Sequence, residues 1–121
     1  MTDQQRKRLE SETMGLQSLQ KEYAQLVATR QKLDSQLQEN TLVSSEFKLL
    51  SDDARVYKMI GPVLVRQDKA EAAANVDKRL EYIGSELSRV EKRIAEQAKE
   101  QEAKSVEIFK LQMDIQGVSK A

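Results

Sequence analysis

The sequence predicts a mainly α-helical fold, a long antiparallel two-helix coiled-coil hairpin with a central β-hairpin at the helix junction. The 121-residue chain has 33% charged and only 4% aromatic residues, a composition typical of coiled coils. Apolar residues recur at heptad spacing on both sides of the centre. Only residues 56–65 resemble β-structure. We therefore expect one domain over residues 1–121, with a helix over 3–50, a docking hairpin over 51–67 and a second helix over 68–118.

The first helix is predicted from a heptad that begins at Leu9. Alternating steps of three and four residues place twelve positions on one helix face, which is the seam of a coiled coil. These positions are Leu9, Glu12, Leu16, Leu19, Tyr23, Leu26, Arg30, Leu33, Leu37, Asn40, Ser44 and Phe47. Arg30 and Asn40 interrupt the apolar seam, and such residues fix the register of a coiled coil at some cost in stability. Ser51-Asp52-Asp53 should end the helix, because carboxylates oppose the dipole at a helix C-terminus.

The central hairpin is predicted from two apolar runs that meet at Gly61-Pro62, a pair that favours turns. The strands should lie near 56–60 and 63–66, with apolar residues on both faces. A lone two-stranded hairpin is marginally stable in water, so we interpret it as a docking element of a subunit. The predicted subunit interface comprises the hairpin residues Val56, Tyr57, Met59, Ile60, Val63, Leu64 and Val65, with Leu42 and Tyr82 beside them.

The second helix should begin at Asp68, because Glu71 follows at the spacing of a capping box. Its heptad contains Ala73, Val76, Leu80, Ile83, Leu87, Val90, Ile94, Gln97, Gln101, Lys104, Ile108, Leu111, Ile115 and Val118. Folding back against the first helix lets each seam bury the other, in a register that brings Leu26 near Gln97. The polar stretch Gln97–Lys104 should then be the weakest part of the coil, with fraying beyond it.

Large apolar residues return off the seam near the two chain ends. Met14, Phe109 and Met113 occupy outward heptad positions, and the antiparallel register places Met14 near Phe109. Flexible methionines beside an exposed aromatic ring suit the binding of varied hydrophobic partners. Isolated methionine or phenylalanine residues are also ordinary on protein surfaces, so the residues alone leave both interpretations open.

The composition argues against several function classes. The chain has 20 basic and 20 acidic residues and no His or Cys, which removes the usual general base, thiol nucleophile and soft metal ligands. Asp52-Asp53 could form a catalytic carboxylate pair, but a helix terminator is the better interpretation. We predict that the chain is not an enzyme and has no metal or cofactor. We also predict no nucleic-acid or membrane partner, and a cytoplasmic location.

Several segments resemble the β class of prefoldin subunits, over nearly the whole chain. They are residues 30–40, Glu46-Phe47, the hairpin Val-Tyr-Lys-Met-Ile-Gly-Pro-Val-Leu-Val at 56–65, and Ala-Asn-Val-Asp-Lys-Arg-Leu-Glu-Tyr-Ile at 74–83. A single central hairpin matches the β class rather than the α class. The heptads alone would not identify the family.

The resemblance implies a heterohexameric co-chaperone of two α-class and four β-class subunits, whose hairpins form β-barrels. Coiled-coil tips would capture unfolded actin- and tubulin-like clients and deliver them to the cytosolic chaperonin without ATP. We expect client binding at tip residues, including seam leucines exposed by splaying of the helices at Gln97–Lys104. These residues are Leu9, Met14, Leu16, Phe109, Leu111, Met113 and Ile115.

Two alternatives stay open at the level of the sequence. A structural coiled-coil subunit of a tether or cytoskeletal complex would explain the heptads. A structural coiled coil of this kind would not explain why the chain contains a hairpin. The subunit could also be shared with a paralogous complex that acts in transcription or in the assembly of other machines.

Overall fold

The structure, a computed structural model, describes residues 1–117 and confirms the predicted fold class. Helix α1 spans Asp3–Leu49, strand β1 Val56–Ile60, strand β2 Val63–Gln67 and helix α2 Lys69–Gln116. Helix α1 therefore ends one residue before the predicted boundary, and β2 extends one residue further than predicted. Val118, the last predicted seam position, lies outside the described residues.

The chain divides into two compact units. The terminal unit contains residues 1–30 together with the part of the chain from Val90 onward. The hairpin unit contains residues 31–89, and so includes both strands. In each unit a segment of α1 packs against a segment of α2.

Each helix begins with side-chain hydrogen bonds that satisfy its first backbone amides. At α1 the Gln5 amide donates to Thr2 Oγ1 at 3.1 Å, and the Thr2 amide donates to Gln5 Oε1 at 3.0 Å. This is a reciprocal capping box, which our sequence analysis missed. At α2 the Glu71 amide donates to Asp68 Oδ2 at 3.1 Å, as the predicted cap requires.

The junction between α1 and the hairpin is held by Lys69, the first residue of α2. Its Nζ donates to the backbone carbonyls of Leu50 at 3.3 Å and Ser51 at 2.9 Å. A cation at the carbonyls that follow a helix C-terminus is electrostatically favourable. Lys69 thus ties the end of α1 to the start of α2 within the hairpin unit, a contact that sequence spacing did not reveal.

The hairpin is a two-stranded antiparallel sheet closed by a two-residue turn. Its register pairs Val56 with Gln67 and Ile60 with Val63. Gly61 has a φ of 59°, and Pro62 has its φ fixed near −65° by its ring. A positive φ at the first central position followed by a negative φ matches the type II′ turn that suits tight hairpins. The predicted Gly61-Pro62 turn is therefore confirmed.

Burial follows the predicted heptads in both helices. Every seam position of α1 from Leu9 to Phe47 is partly buried except Arg30, which is exposed. Helix α2 carries the fully buried residues, of which Val76, Ile83, Val90 and Gln97 are spaced seven residues apart. This spacing is the period of one coiled-coil seam position. The core of each unit is therefore a narrow stripe along α2, covered by α1.

The polar stretch of the terminal unit is paired across the helices by long side chains. Gln97 has no exposed surface, and its Nε2 donates to Glu22 Oε2 at 2.6 Å. Lys104 Nζ lies 2.9 Å from Glu12 Oε2, and Arg30 Nε lies 3.4 Å from Glu91 Oε1. Long polar side chains reach the facing helix and replace the missing apolar contacts.

Gln97 has a partner on α1 that the predicted register did not name. We expected Leu26 to lie near Gln97, whereas Gln97 hydrogen-bonds to Glu22, about one helical turn earlier in α1. Glu22 lies beside the seam of α1, whereas Glu12, the partner of Lys104, is itself a seam position. Sequence spacing locates the seam, but it does not identify the side-chain partners that Gln97 and Lys104 find on the facing helix.

The buried amide of Gln97 generates a stability prediction. Its Oε1 has no hydrogen-bond partner among the described residues, and an unsatisfied buried acceptor costs about 1–3 kcal/mol. Replacing Gln97 by Leu removes this acceptor at similar volume and leaves Glu22 to water. We expect Gln97→Leu to raise the free energy of unfolding by about 1 kcal/mol and the melting temperature by about 4 °C.

Circular dichroism at 222 nm during heating measures this effect. Gln97→Ala is the matched comparison, because it removes the same amide but leaves a cavity and should lower the melting temperature. A melting temperature of Gln97→Leu below that of the original chain would contradict our account of the polar layer.

Candidate interaction surfaces

The hairpin presents an apolar surface that its own chain leaves uncovered. Six of the seven predicted hairpin interface residues are 43–70% exposed: Tyr57, Met59, Ile60, Val63, Leu64 and Val65. Val56 alone is partly buried. Within the described residues the sheet has only two strands, so both outer edges carry unpaired backbone groups. Such edges are templates for pairing with another chain.

The register distributes these residues over both faces of the sheet. Val56, Ile60, Val63 and Val65 share one face, because directly paired residues point the same way. The pairs Tyr57–Arg66 and Met59–Leu64 occupy the other face. The prediction of apolar residues on both faces of the hairpin is therefore confirmed. Neither face can be fully covered by the chain's own helices.

The two predicted interface residues on the helices are exposed within the hairpin unit. Leu42 and Tyr82 are both more than half exposed, although each is large and apolar. Tyr82 lines a groove of about 480 Å³ together with Asn40, Lys78 and Ile83. The hairpin unit therefore exposes large apolar residues on its helices as well as on its strands.

The predicted client-binding residues all belong to the terminal unit, but they differ in accessibility. Met14 is 68% and Phe109 is 57% exposed. Leu9, Leu16, Leu111 and Ile115 are partly buried, as seam positions should be. Met113 is also partly buried, whereas its heptad position predicted an outward side chain. Val106, which we did not single out, is 46% exposed. Only Met14 and Phe109 of the predicted set are thus openly accessible.

An ion pair lies beside these residues and has electrostatic consequences. A hydrogen bond from Lys104 lowers the pKa of the Glu12 carboxyl below its ordinary value. The same pairing with Glu12 raises the pKa of the Lys104 ammonium. Gly15 makes the approach possible, since a Cβ there would lie 3.3 Å from Lys104 Cε. Sequence reasoning missed this pair, because both residues read as defects in an apolar seam.

The acidic residues of the described part of the chain are predicted to have structural rather than catalytic roles. Among residues 1–117, no three acidic side chains are placed so that they could hold a metal ion. Asp52 and Asp53 lie in the turn after α1, where a hydrogen bond from the Ser51 side chain lowers the pKa of Asp53. Neither described helix is long and apolar enough to cross a membrane.

Comparison with known proteins identifies the class to which this fold belongs. A family model described as prefoldin subunit matches residues 4–115. The prefoldin beta subunit from Thermococcus strain KS-1 superimposes with a TM-score of 0.75 at 25% identity, over 84% of this chain and 89% of that one. The chain belongs to the prefoldin family, and its two helices and single hairpin are those of a β-class chaperone subunit.

Curated relatives show which member it resembles. Prefoldin subunit 6 of Arabidopsis thaliana is 46% identical over 110 residues, covering 91% of this chain and 85% of the relative. Prefoldin subunit 6 of Homo sapiens is 39% identical over the same shares. That of Saccharomyces cerevisiae is 46% identical over 78% of this chain and 83% of the relative. The resemblance to eukaryotic prefoldin subunit 6 thus extends over most of the chain.

The Glu12–Lys104 pair predicts a pH dependence of stability. Because the pKa of Glu12 is depressed in the folded chain, Glu12 makes its full contribution to the free energy of unfolding above the ordinary carboxyl pKa of about 4.5. The contribution is lost as the pH falls through the depressed folded value. Lys104 contributes no change below pH 9, since its pKa is raised. We expect Glu12→Gln to lower the melting temperature at pH 7 and to reduce its fall between pH 6 and pH 3.

Melting curves of both chains at pH 3, 5 and 7 measure this difference. Glu10→Gln is a suitable control, because Glu10 is exposed and forms no ion pair with the described residues. An equal acid sensitivity of the original chain and Glu12→Gln would show that the pair does not stabilise the helix contact.

Proposed function

We propose that this chain is a β-class subunit of a heterohexameric prefoldin that captures unfolded proteins and passes them to the cytosolic chaperonin without ATP. Its partners would be the other α- and β-class subunits, actin- and tubulin-like clients and the chaperonin. The role is one of binding rather than catalysis, and its place is the cytoplasm. The observation that carries the proposal is a hairpin with six exposed apolar residues in a chain of the prefoldin family.

Assembly through the hairpin is supported by its exposure and by its open edges. Burying a Val, Leu, Ile or Met side chain contributes about 1.5–3 kcal/mol, and the hairpin exposes five such side chains together with Tyr57. A closed barrel of several hairpins would cover both faces and satisfy the edges. Leu42 and Tyr82 would pack against neighbouring subunits at the same level of the chain.

Client capture in the terminal unit is supported by the exposure of Met14 and Phe109. The partly buried residues Leu9, Leu16, Leu111, Met113 and Ile115 would add apolar surface where the two helices separate. A contact of this kind is weak for one subunit. Several subunits around one client would raise the effective concentration and hence the overall affinity.

The assembly role predicts the effect of charges in the hairpin. Ile60→Asp with Val63→Asp places two carboxylates where the sheet should dock, and desolvating an unpaired carboxylate is strongly unfavourable. We expect the tagged double variant to lose its partner subunits, whereas the original chain is recovered from cell extract in a particle of about six small subunits. Native mass spectrometry measures the particle.

Val27→Asp with Val106→Asp is the control, because both valines are exposed in the terminal unit. Both variants should keep the helical circular dichroism of the original chain. A particle of unchanged mass for Ile60→Asp/Val63→Asp would contradict docking through the hairpin. A homodimer of the original chain would favour the structural scaffold.

The client-binding role predicts a separate defect. Met14→Ser with Phe109→Ser removes the two exposed apolar side chains of the predicted set without touching the seam. We expect hexamers that contain this variant to suppress the aggregation of denatured actin less than the original hexamers do, with unchanged native mass. Light scattering after dilution of actin from guanidinium measures capture.

Val27→Ser with Val106→Ser is the matched control, since it also removes two exposed apolar residues from the terminal unit. Met113→Ser is measured separately, because Met113 is partly buried and its loss also affects packing. Equal suppression by the Met14/Phe109 variant and the original chain would refute the assignment of client binding to these two residues.

A further inference from the structure

We propose that the hairpin recognises partner chains whose docking strands carry acidic side chains, and that its unpaired cations prevent it from pairing with a second copy of this chain. The inference rests on the proposed function of the hairpin as the subunit-docking element. It adds the chemistry of the partner, which apolar exposure alone does not specify.

The first observation is the charge of the hairpin itself. Arg55, Lys58 and Arg66 lie between Ala54 and Gln67, and this segment contains no acidic residue. All three cations are exposed, and none forms an ion pair with a carboxylate of residues 1–117. The flanking carboxylates of Asp52, Asp53 and Asp68 line one cleft together with Arg55 and Arg66, although they form no ion pair with them. Lys58 does not line that cleft.

The second observation is a cleft between the hairpin and the helices of the hairpin unit. It has a volume of about 280 Å³, and Lys58 and Arg79 line it together with Asn75, Phe47 and Val76. No acidic side chain lines the cleft. Arg79 is exposed and forms no ion pair with the described residues either. The cleft therefore offers two unpaired cations and an amide beside apolar walls, a setting that suits a carboxylate on an aliphatic stem.

The same charges disfavour a second copy. Two identical hairpins in contact would bring together two sets of strand cations with no carboxylate on either strand, and like charges across an interface disfavour association. Charged residues, lysine above all, are a common means of preventing edge strands from pairing with their own kind. A partner strand with Asp or Glu at the facing positions would replace this repulsion with attraction.

The neighbouring apolar residues favour a protein strand over a phosphate-bearing ligand. Lys58 alternates with Tyr57 and Met59 on β1, and Arg66 follows Leu64 and Val65 on β2. All four of these apolar side chains are exposed, and a nucleic acid would leave most of them in water. A strand with alternating apolar and acidic residues would cover both kinds of group.

The experiment uses the full chain and a charge-reversed form of it, Lys58→Glu/Arg66→Glu/Arg79→Glu, as the acidic partner. Their apolar surfaces are identical, so only the sign of the charge differs. We expect the equimolar mixture to associate at least about tenfold more tightly at low salt than either chain with itself. Sedimentation velocity measures the association, and about 1 M salt should remove the difference, because it reduces the Debye length to about 3 Å.

Three controls keep the inference open to refutation. Lys92→Glu/Lys99→Glu/Lys110→Glu makes the same change in net charge in the terminal unit, and its mixture with the original chain should show no gain. Lys58→Gln/Arg66→Gln/Arg79→Gln should associate with itself more tightly than the original chain, since only the repulsion is removed. Adding Ile60→Asp/Val63→Asp to both chains of the mixture should abolish the complex.

The outcomes separate this inference from the proposed function. The proposed preference for acidic partners is overturned if the original chain associates with itself as tightly as it associates with the charge-reversed chain. If the charge reversal in the terminal unit tightens association equally, the effect is due to net charge, and the proposed role of the hairpin cations is overturned as well. If the Ile60/Val63 variant still loses its partners from cell extract in either case, docking through the hairpin stands.

Discussion

The structure depends on a narrow apolar seam that each helix can cover for the other. In each unit the buried side chains lie on α2 at heptad spacing, and α1 contributes partly buried residues that close over them. A seam of this width leaves most of both helices in water, which accounts for a chain that is one-third charged. Since the two helices cover each other along the seam, apolar residues off the seam such as Met14 and Phe109 are left exposed to other molecules.

The polar layer of the terminal unit shows how a heptad tolerates residues that do not suit it. Gln97 occupies a fully buried position and donates a hydrogen bond to Glu22. Lys104 extends past Gly15 to reach Glu12. Buried polar pairs of this kind contribute little net stability, but they penalise other registers, in which the same groups would lose their partners. This polar layer lies next to Met14 in α1. It defines which side chains pair across the two helices but adds only modest stability to the helix pair.

The hairpin has the opposite character, because it is structurally defined but not covered. Its turn, register and Lys69 anchor fix its conformation within the hairpin unit. Six exposed apolar residues and three unpaired cations are left on its surface. The apolar groups favour association with other hairpins in general, whereas the cations distinguish among them. This division of roles between affinity and specificity is usual for protein interfaces.

The sequence by itself determined the helices, the hairpin with its Gly61-Pro62 turn, and the family, because all of these depend on local periodicity and on short segments of the chain. It also located the exposed apolar residues of the hairpin, since strand alternation places them on both faces. Only the tertiary structure decided that Gln97 pairs with Glu22, that Lys104 pairs with Glu12, that Lys69 anchors the end of α1, and that Met113 is partly buried. The physical reason is that a long polar side chain selects its partner by reach across a neighbouring element, and spacing along one helix carries no information about that reach.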